Sequence, residues 1–285
     1  MSDLRYLTVV RRDLVAKPLV NPQTADRNLP FARLAVAPEV QGYVRLKTSI
    51  EWCVALVLLV FMSPLLLGLA ILVRLTSKGS VIYSQWRVGR SGKPFRIYKL
   101  RTMVHQCEAH TGPVWAVADD PRSTRVGRWL RDTHLDELPQ LWNVLRGQMS
   151  LIGPRPERPE IAAQIEQTIP EFQYRLLVRP GITGLAQMRL PADSNLDTVR
   201  RKLAHDLYYI RHLGLWLDAR IVVSTPLRFL GDAALSMSRR ITQPASVSVP
   251  LTEREHQSQA GESPEPAGSQ TVTAEHWEEE LRAAA

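Results

Sequence analysis

The longest apolar stretch of the chain runs from Trp52 to Val73, WCVALVLLVFMSPLLLGLAILV, without a single charge. Arg45, Lys47 and Glu51 precede it, and Arg74 and Lys78 follow. As a helix it is long enough for the ~30 Å hydrocarbon core of a bilayer. Positive flanks tend to stay cytosolic, and here both flanks are basic, so a simple crossing conflicts with its own ends. Ser63-Pro64 lies at the midpoint, where Pro64 has no N–H to bond back one turn and its ring disfavours helix at Ser63. The pattern therefore predicts a bend and a re-entrant hairpin that returns both ends to the cytosolic face, with the freed carbonyl needing the Ser63 hydroxyl or neighbouring protein as donor. A kinked transmembrane helix is the other arrangement the run permits.

Beyond the run, VIYSQWRVG and FRIYKL alternate with period two across RSGKP, the pattern of a β-hairpin. Residues 104–121 read as a polar loop. Leu135, Leu138, Leu141, Trp142 and Leu145 recur at helical spacing, as do Val199, Leu203, Leu207, Ile210 and Leu213. Leu215 to Leu230 mixes Leu, Trp, Ile and Phe with Arg220 and Arg228, which suits either an amphipathic helix on a membrane surface or a core helix. The expected fold class is α/β, helix-rich with a small sheet, on a monotopic helix-break-helix anchor with surface amphipathic helices. The expected divisions are a cytosolic amino-terminal arm (1–46), the re-entrant helix (47–76), a catalytic domain (77–231) and a disordered acidic tail (232–285), the last because Ser, Pro, Gln, Ala and Glu dominate it.

Charge sharpens this division. The chain carries +8 overall, but residues 250–285 hold eight Glu against Arg254 and Arg282, which leaves +14 on the rest. So basic a body suits nucleic acid, an anionic bilayer or a phosphorylated substrate. The amino-terminal arm, with Pro18, Pro22, Pro30 and Pro38, lacks the order of a signal peptide, and two cysteines, Cys53 and Cys107, make no disulfide framework, so a reducing cytosolic setting fits.

The chemistry concentrates in THLDELPQLWNVL, residues 133–145. Asp136 and Glu137 stand just ahead of a predicted helix that Thr133 or Asp136 can cap, with Pro139 in its first turn. A helix start keeps a carboxylate ionised and attracts phosphate oxygens. Arg125, Arg128 and Arg131 precede the pair, and two proline turns follow, MSLIGPRPERPE (149–160) and RPGITG (179–184). Pro154 and Pro156 fix the backbone on both sides of Arg155, which preorganises its guanidinium for bidentate capture of phosphate. A carboxylate nucleophile, a second acid able to hold Mg²⁺ and arginines to offset phosphate charge are the requirements of phosphoryl transfer. Gly89 to Lys93 is too short for a P-loop, and HQCEAH, with His105, Cys107 and His110, lacks the further cluster that four-coordinate metal binding needs. Trp86, Trp115, Trp129 and Trp142 form no nucleic-acid reader motif. A membrane-tethered basic scaffold or nucleic-acid binder is the reading from another class that the charge and the anchor would also serve.

Taken in order, these signals resemble the monotopic phosphoglycosyl transferases, bacterial sugar transferases acting on undecaprenyl phosphate. Residues 47 to about 230 carry the likeness: Ser63-Pro64, QWRVG, YKLRTM with Lys99, DPRSTRVGRWLR with Arg131, LDELPQLWNV, MSLIGPRP, RPGITG and HDLYYIRH with Asp206. The resemblance implies Asp136 as the nucleophile that attacks the β-phosphorus of a UDP-sugar and expels UMP, with undecaprenyl phosphate then taking the phosphosugar. It implies Glu137 as a Mg²⁺ ligand, phosphate or nucleotide contacts from Arg131 and from the Pro154-Arg155-Pro156 turn, and activity-linked places for Lys99 and Asp206. It implies residence at the cytoplasmic face of a bacterial inner membrane and a role in starting exopolysaccharide or another glycoconjugate, with no nucleic-acid partner. The departures are Lys47-Thr48-Ser49-Ile50-Glu51 in place of Lys-Arg-x-x-Asp, Gln148 before Met149, and Ser80 after Gly79. With about 46 residues ahead of the anchor, the expected architecture is the compact one, without a large multi-span region.

Overall fold

The structure is a computed structural model that describes residues 38–104, 107, 120–190, 196–227 and 232–242. Helix α1 (Pro38–Thr76) contains the apolar run and begins inside the expected amino-terminal arm. It is long and apolar enough to cross a membrane. Val57, Val60, Phe61, Leu67 and Leu75 are 64–79% exposed, so this helix turns most of its apolar surface outward. Such a face is stable only against another apolar phase.

The helical assignment continues through Pro64. The amide that Pro64 lacks would have bonded Val60 O, and the Ser63 hydroxyl donates to that carbonyl instead, at 2.8 Å. The helical assignment thus carries through the Ser63-Pro64 step, with the hydroxyl taking the place of the missing donor. On either side of Pro64 the inward residues of α1 dock on the globular part. Ala55 packs with Phe95, Ile97, Leu141, Val144 and Met149, whereas Leu69 and Val73 pack with Leu100 and Leu130. Polar contacts secure both ends. Trp52 Nε1 donates to Leu145 O at 3.1 Å, and Arg101 donates to Ser77 O and Ser77 Oγ at 2.8 Å.

The period-two stretches form β1 (Ile82–Val88) and β2 (Pro94–Leu100), an antiparallel hairpin in register from Ile82↔Leu100 to Val88↔Pro94. On β2, Phe95 and Ile97 point into the core while Arg96 lies over the Trp86 ring, 5.0 Å from its centroid. Ser91 and Gly92 turn the chain with positive φ. Helices α2 (Arg125–Asp132) and α3 (Gln140–Leu145) follow. A second two-stranded sheet pairs β3 (Ser150–Ile152) in parallel with β4 (Gly181–Thr183). Between these strands come α4 (Pro159–Thr168) and a 3-10 segment, Pro170–Leu177.

The chain continues through α5 (Leu185–Arg189) to α6 (Leu196–Arg211), which buries Val199, Leu203, Leu207 and Ile210 as the spacing predicts. Helix α7 (Leu215–Leu227) buries Asp218, Ile221 and Ser224 but leaves Leu215, Trp216, Val222 and Val223 exposed, so it is not a core helix and turns apolar side chains outward. Residues 232–241, expected to begin the disordered tail, instead form α8 (Asp232–Ile241). Its packing uses small polar side chains that composition cannot tell from a solvated face: Ser238 and Thr242 are buried, and Ser238 Oγ donates to Ser224 O at 3.1 Å. The rest of the expected tail, together with His105, His110 and Trp115, lies outside the described residues.

Candidate active site

The acidic pair sits in a kink between two helices. Thr124 caps α2, its hydroxyl accepting from Gly127 N at 2.8 Å. Gly127 is required there, because a Cβ would lie 1.8 Å from Thr102 O. After α2, His134 adopts a left-handed φ of 54° and starts a 3-10 turn, Leu135–Glu137, that holds both carboxylates. Pro139, with no N–H to give, ends this turn immediately before α3. Neither expected cap therefore serves α3: Asp136 lies inside the 3-10 turn, and the Thr133 hydroxyl donates backwards to Trp129 O at 2.8 Å. A left-handed non-glycine residue beside a carboxylate pair is the kind of local strain that accompanies functional sites.

The two carboxylates have unlike surroundings. Glu137 accepts from Lys99 Nζ at 2.7 Å and from Arg155 at 2.6 Å, both at Oε1, with a longer 3.4 Å contact from Arg155 to Oε2. Burial works against the charge of Glu137, but Arg155 and Lys99 together outweigh it and hold the carboxyl well below the usual range. Asp136 is 6% exposed, and among the described residues its carboxylate accepts no hydrogen bond. Burial raises its pKa, and the charges of Lys99 and Arg155 only partly oppose that rise. One member of the pair is thus fixed as an anion by two cations. The other is largely buried without such a clamp among the described residues, and partial desolvation makes a carboxylate more reactive toward an electrophile.

Lys99 reaches the pair from the end of β2, and burial lowers its pKa against the pull of Glu137. Arg155 comes from the proline turn after β3, where the charge of Glu137 raises its pKa. That turn packs back to back with RPGITG: a Cβ on Gly181 would lie 2.1 Å from Gly153 N. Arg131 Nε donates to Thr102 Oγ1 at 2.9 Å, which anchors its guanidinium at the carboxyl end of α2, just before the turn that holds the pair. The structure thus brings Lys99, Glu137 and Arg155 into direct contact around Asp136, and Pro154 and Pro156 frame Arg155.

Asp206 is elsewhere. It is 2% exposed and paired with Arg175 at 2.7 Å, and that arginine links it to the Arg155 backbone. Arg175 escaped sequence reading because a lone arginine among mixed residues has no pattern of its own.

Among the described residues no three His, Cys, Asp or Glu side chains converge on a metal position. This excludes a cage built by those residues alone, but Mg²⁺ usually takes one or two carboxylates and completes its shell with water and substrate phosphate. Asp136 and the lightly engaged Oε2 of Glu137 fit that requirement.

Comparison with known proteins matches the sequence to a family. The model of the bacterial sugar transferases covers residues 42–232. An Aeromonas hydrophila UDP-N-acetylgalactosamine-undecaprenyl-phosphate N-acetylgalactosaminephosphotransferase is 44% identical over 64% of this chain and 43% of its own length. A Caulobacter vibrioides UDP-glucose:undecaprenyl-phosphate glucose-1-phosphate transferase is 42% identical over 63% of this chain and 67% of its own length. An exopolysaccharide production protein of Rhizobium leguminosarum bv. phaseoli is 40% identical over 63% of this chain and 92% of its own length. The chain spans less than half the length of several of the relatives it matches, the Aeromonas protein among them. The matched stretch runs from ahead of the apolar run through the carboxylate pair and both proline turns, and over that stretch the chain belongs to the bacterial sugar transferase family.

Proposed function

We propose that the protein transfers a sugar-1-phosphate from a UDP-sugar to undecaprenyl phosphate in two steps. In the first, an Asp136 carboxylate oxygen attacks the β-phosphorus, the bond from that phosphorus to the bridging oxygen breaks, and UMP leaves with the electron pair. In the second, a phosphate oxygen of undecaprenyl phosphate attacks the same phosphorus and frees the carboxylate. The observation that carries this reading is the unequal pair, with Glu137 locked between Lys99 and Arg155 while the buried Asp136 accepts no hydrogen bond from another described residue. Attack of an anion on an anion needs local positive charge. Arg155, Lys99 and Arg131 supply it, Arg155 being preorganised for bidentate contact with a phosphate. Glu137, with Asp136 beside it, would hold Mg²⁺, which supplies Lewis-acid polarisation of phosphoryl oxygens when bound. The relatives' names include both glucose and N-acetylgalactosamine, so the shared chemistry is transfer of the phosphosugar rather than choice of one hexose.

The membrane reading rests on the same structure. Both flanks of the apolar run dock on one globular domain, through Trp52 and Ala55 on one side and Val73 and Ser77 on the other. This supports a monotopic, re-entrant anchor better than a crossing, and the basic flanks favour the cytoplasmic face of a bacterial inner membrane. The test is incubation of the purified protein with a panel of UDP-sugars. UMP appears in the presence of undecaprenyl phosphate with at least one donor and disappears in Asp136→Asn; turnover retained by that variant refutes the nucleophile.

A further inference from the structure

The turn that carries Arg155 has no amide to offer at Pro154 or Pro156, so its conformation is held through its carbonyls. Four consecutive carbonyls each accept a hydrogen bond from another part of the fold. Pro154 O accepts from Gly181 N at 2.9 Å and Glu157 O from Val88 N at 2.9 Å. The two between them are held by arginine side chains: Arg155 O by Arg175 at 2.8 Å, and Pro156 O by Arg87 at 3.1 Å.

Arg175 is itself aligned. Its Nε donates to Asp206 Oδ2 at 2.7 Å, its guanidinium lies over the Phe172 ring at 4.6 Å, and it is 9% exposed. One face of the fork thus meets α6 and the other meets the backbone of the residue whose side chain grips Glu137. Arg87 is arranged in the same manner, with one terminal nitrogen on Gln85 Oε1 at 2.8 Å and the other on Pro156 O.

We infer that Arg175, aligned by Asp206, is a positioning residue that sets the Arg155 guanidinium against Glu137 and the donor phosphates. This rests on the proposed transferase reading and gives Asp206 its role in it. The fork is essential because the Asp206 carboxylate and the Arg155 carbonyl must be met by two nitrogens of one rigid group. A lysine ammonium is a point charge on a flexible stem and does not hold two acceptors in that geometry. Neither Arg175 nor Asp206 touches the reacting atoms. Their influence passes through the placement of Arg155, where a displacement of ~1 Å can cost on the order of 100-fold in rate.

A double-mutant cycle tests this. Arg175→Lys, Arg155→Ala and the combined variant are compared by kcat/KM for UMP release and by thermal midpoint. If Arg175 acts through Arg155, Arg175→Lys lowers kcat/KM by about 10–100-fold in the wild-type background, with little further loss once Arg155 is already Ala. Its thermal penalty is the same in both backgrounds, a readout that a merely stabilising role would couple to activity in both. Equal activity losses in the two backgrounds overturn the inference. If Arg175→Lys fails to fold, Asp206→Asn, which keeps the shape and removes the charge, goes through the same cycle with the same expected and contrary outcomes. A wild-type protein that turns over while the losses are additive rejects this inference alone. A wild-type protein with no turnover on any UDP-sugar rejects the transferase reading and this inference together.

Discussion

Glu51 offers a direct test of how the anchor is tied to the site. It is 7% exposed, its carboxylate accepts from Ser150 Oγ at 2.6 and 2.8 Å and from Ile152 N at 3.3 Å, and it pairs with Lys47 at 2.9 Å. Residues 150–152 form β3, which runs straight into the Arg155 turn, so Glu51 joins the membrane helix to the site. Glu51→Asp removes one carbon–carbon bond, about 1.5 Å of reach. The backbone of α1 is fixed at this level by Ala55 and Trp52, so the shortened carboxylate falls short of Ser150. Lys47 keeps Asp218 as a partner, and its loss is the smaller one. Hydrogen bonds to charged groups are worth roughly 1.5–3 kcal/mol each, so losing the Ser150 bond and weakening the Ile152 contact costs about 3 kcal/mol. At ~2–4 °C per kcal/mol for a domain of this size, the thermal midpoint falls by roughly 6–12 °C. The assay is thermal unfolding in lipid nanodiscs of fixed composition, with Ser150→Ala as the background in which the same change loses most of its effect. A midpoint within about 2 °C of wild type, less than 1 kcal/mol, refutes the tie.

Other outcomes follow from the same geometry. Glu137→Gln lowers UMP release and flattens its dependence on added Mg²⁺, whereas an unchanged Mg²⁺ titration argues against a metal role. Because burial raises the Asp136 pKa, the acid limb of kcat/KM lies above the ordinary carboxylate range: activity falls as pH drops through the raised pKa while Glu137, held low by Arg155 and Lys99, stays ionised. A limb at or below about 4 contradicts this. Gly181→Ala drives a Cβ to 2.1 Å from Gly153 N, so it separates the two proline turns and costs activity along with roughly 1–3 kcal/mol of stability. Full activity with an unshifted melting curve speaks against that packing.

Much of this was legible in the chain because local rules carried it. Period two placed the β1–β2 hairpin, and the spacing of Val199, Leu203, Leu207 and Ile210 placed the buried face of α6. The proline brackets around Arg155 marked the residue that meets Glu137. The helix-cap expectation for the acidic pair fails because Pro139 and the left-handed His134 jointly break the segment into a 3-10 turn and a short helix, and histidine, though enriched in that conformation, adopts it too rarely to be read from one chain. Helix α8 was hidden by its serines and its nearness to a polar tail. The cluster in which Lys47 and Tyr209 meet Asp218 was invisible, since its members stand as far as 171 residues apart and each alone reads as an ordinary charged or aromatic position. Arg175 and Arg87 belong to the same class of miss.

The covalent intermediate is tested most directly by intact-protein mass spectrometry of the enzyme incubated with a UDP-sugar and no lipid acceptor. Covalent catalysis by Asp136 predicts a species heavier by one phosphosugar, mapped to the peptide containing Asp136, absent in Asp136→Asn and discharged on adding undecaprenyl phosphate. An enzyme that converts donor to lipid product at full rate while never carrying that mass contradicts it.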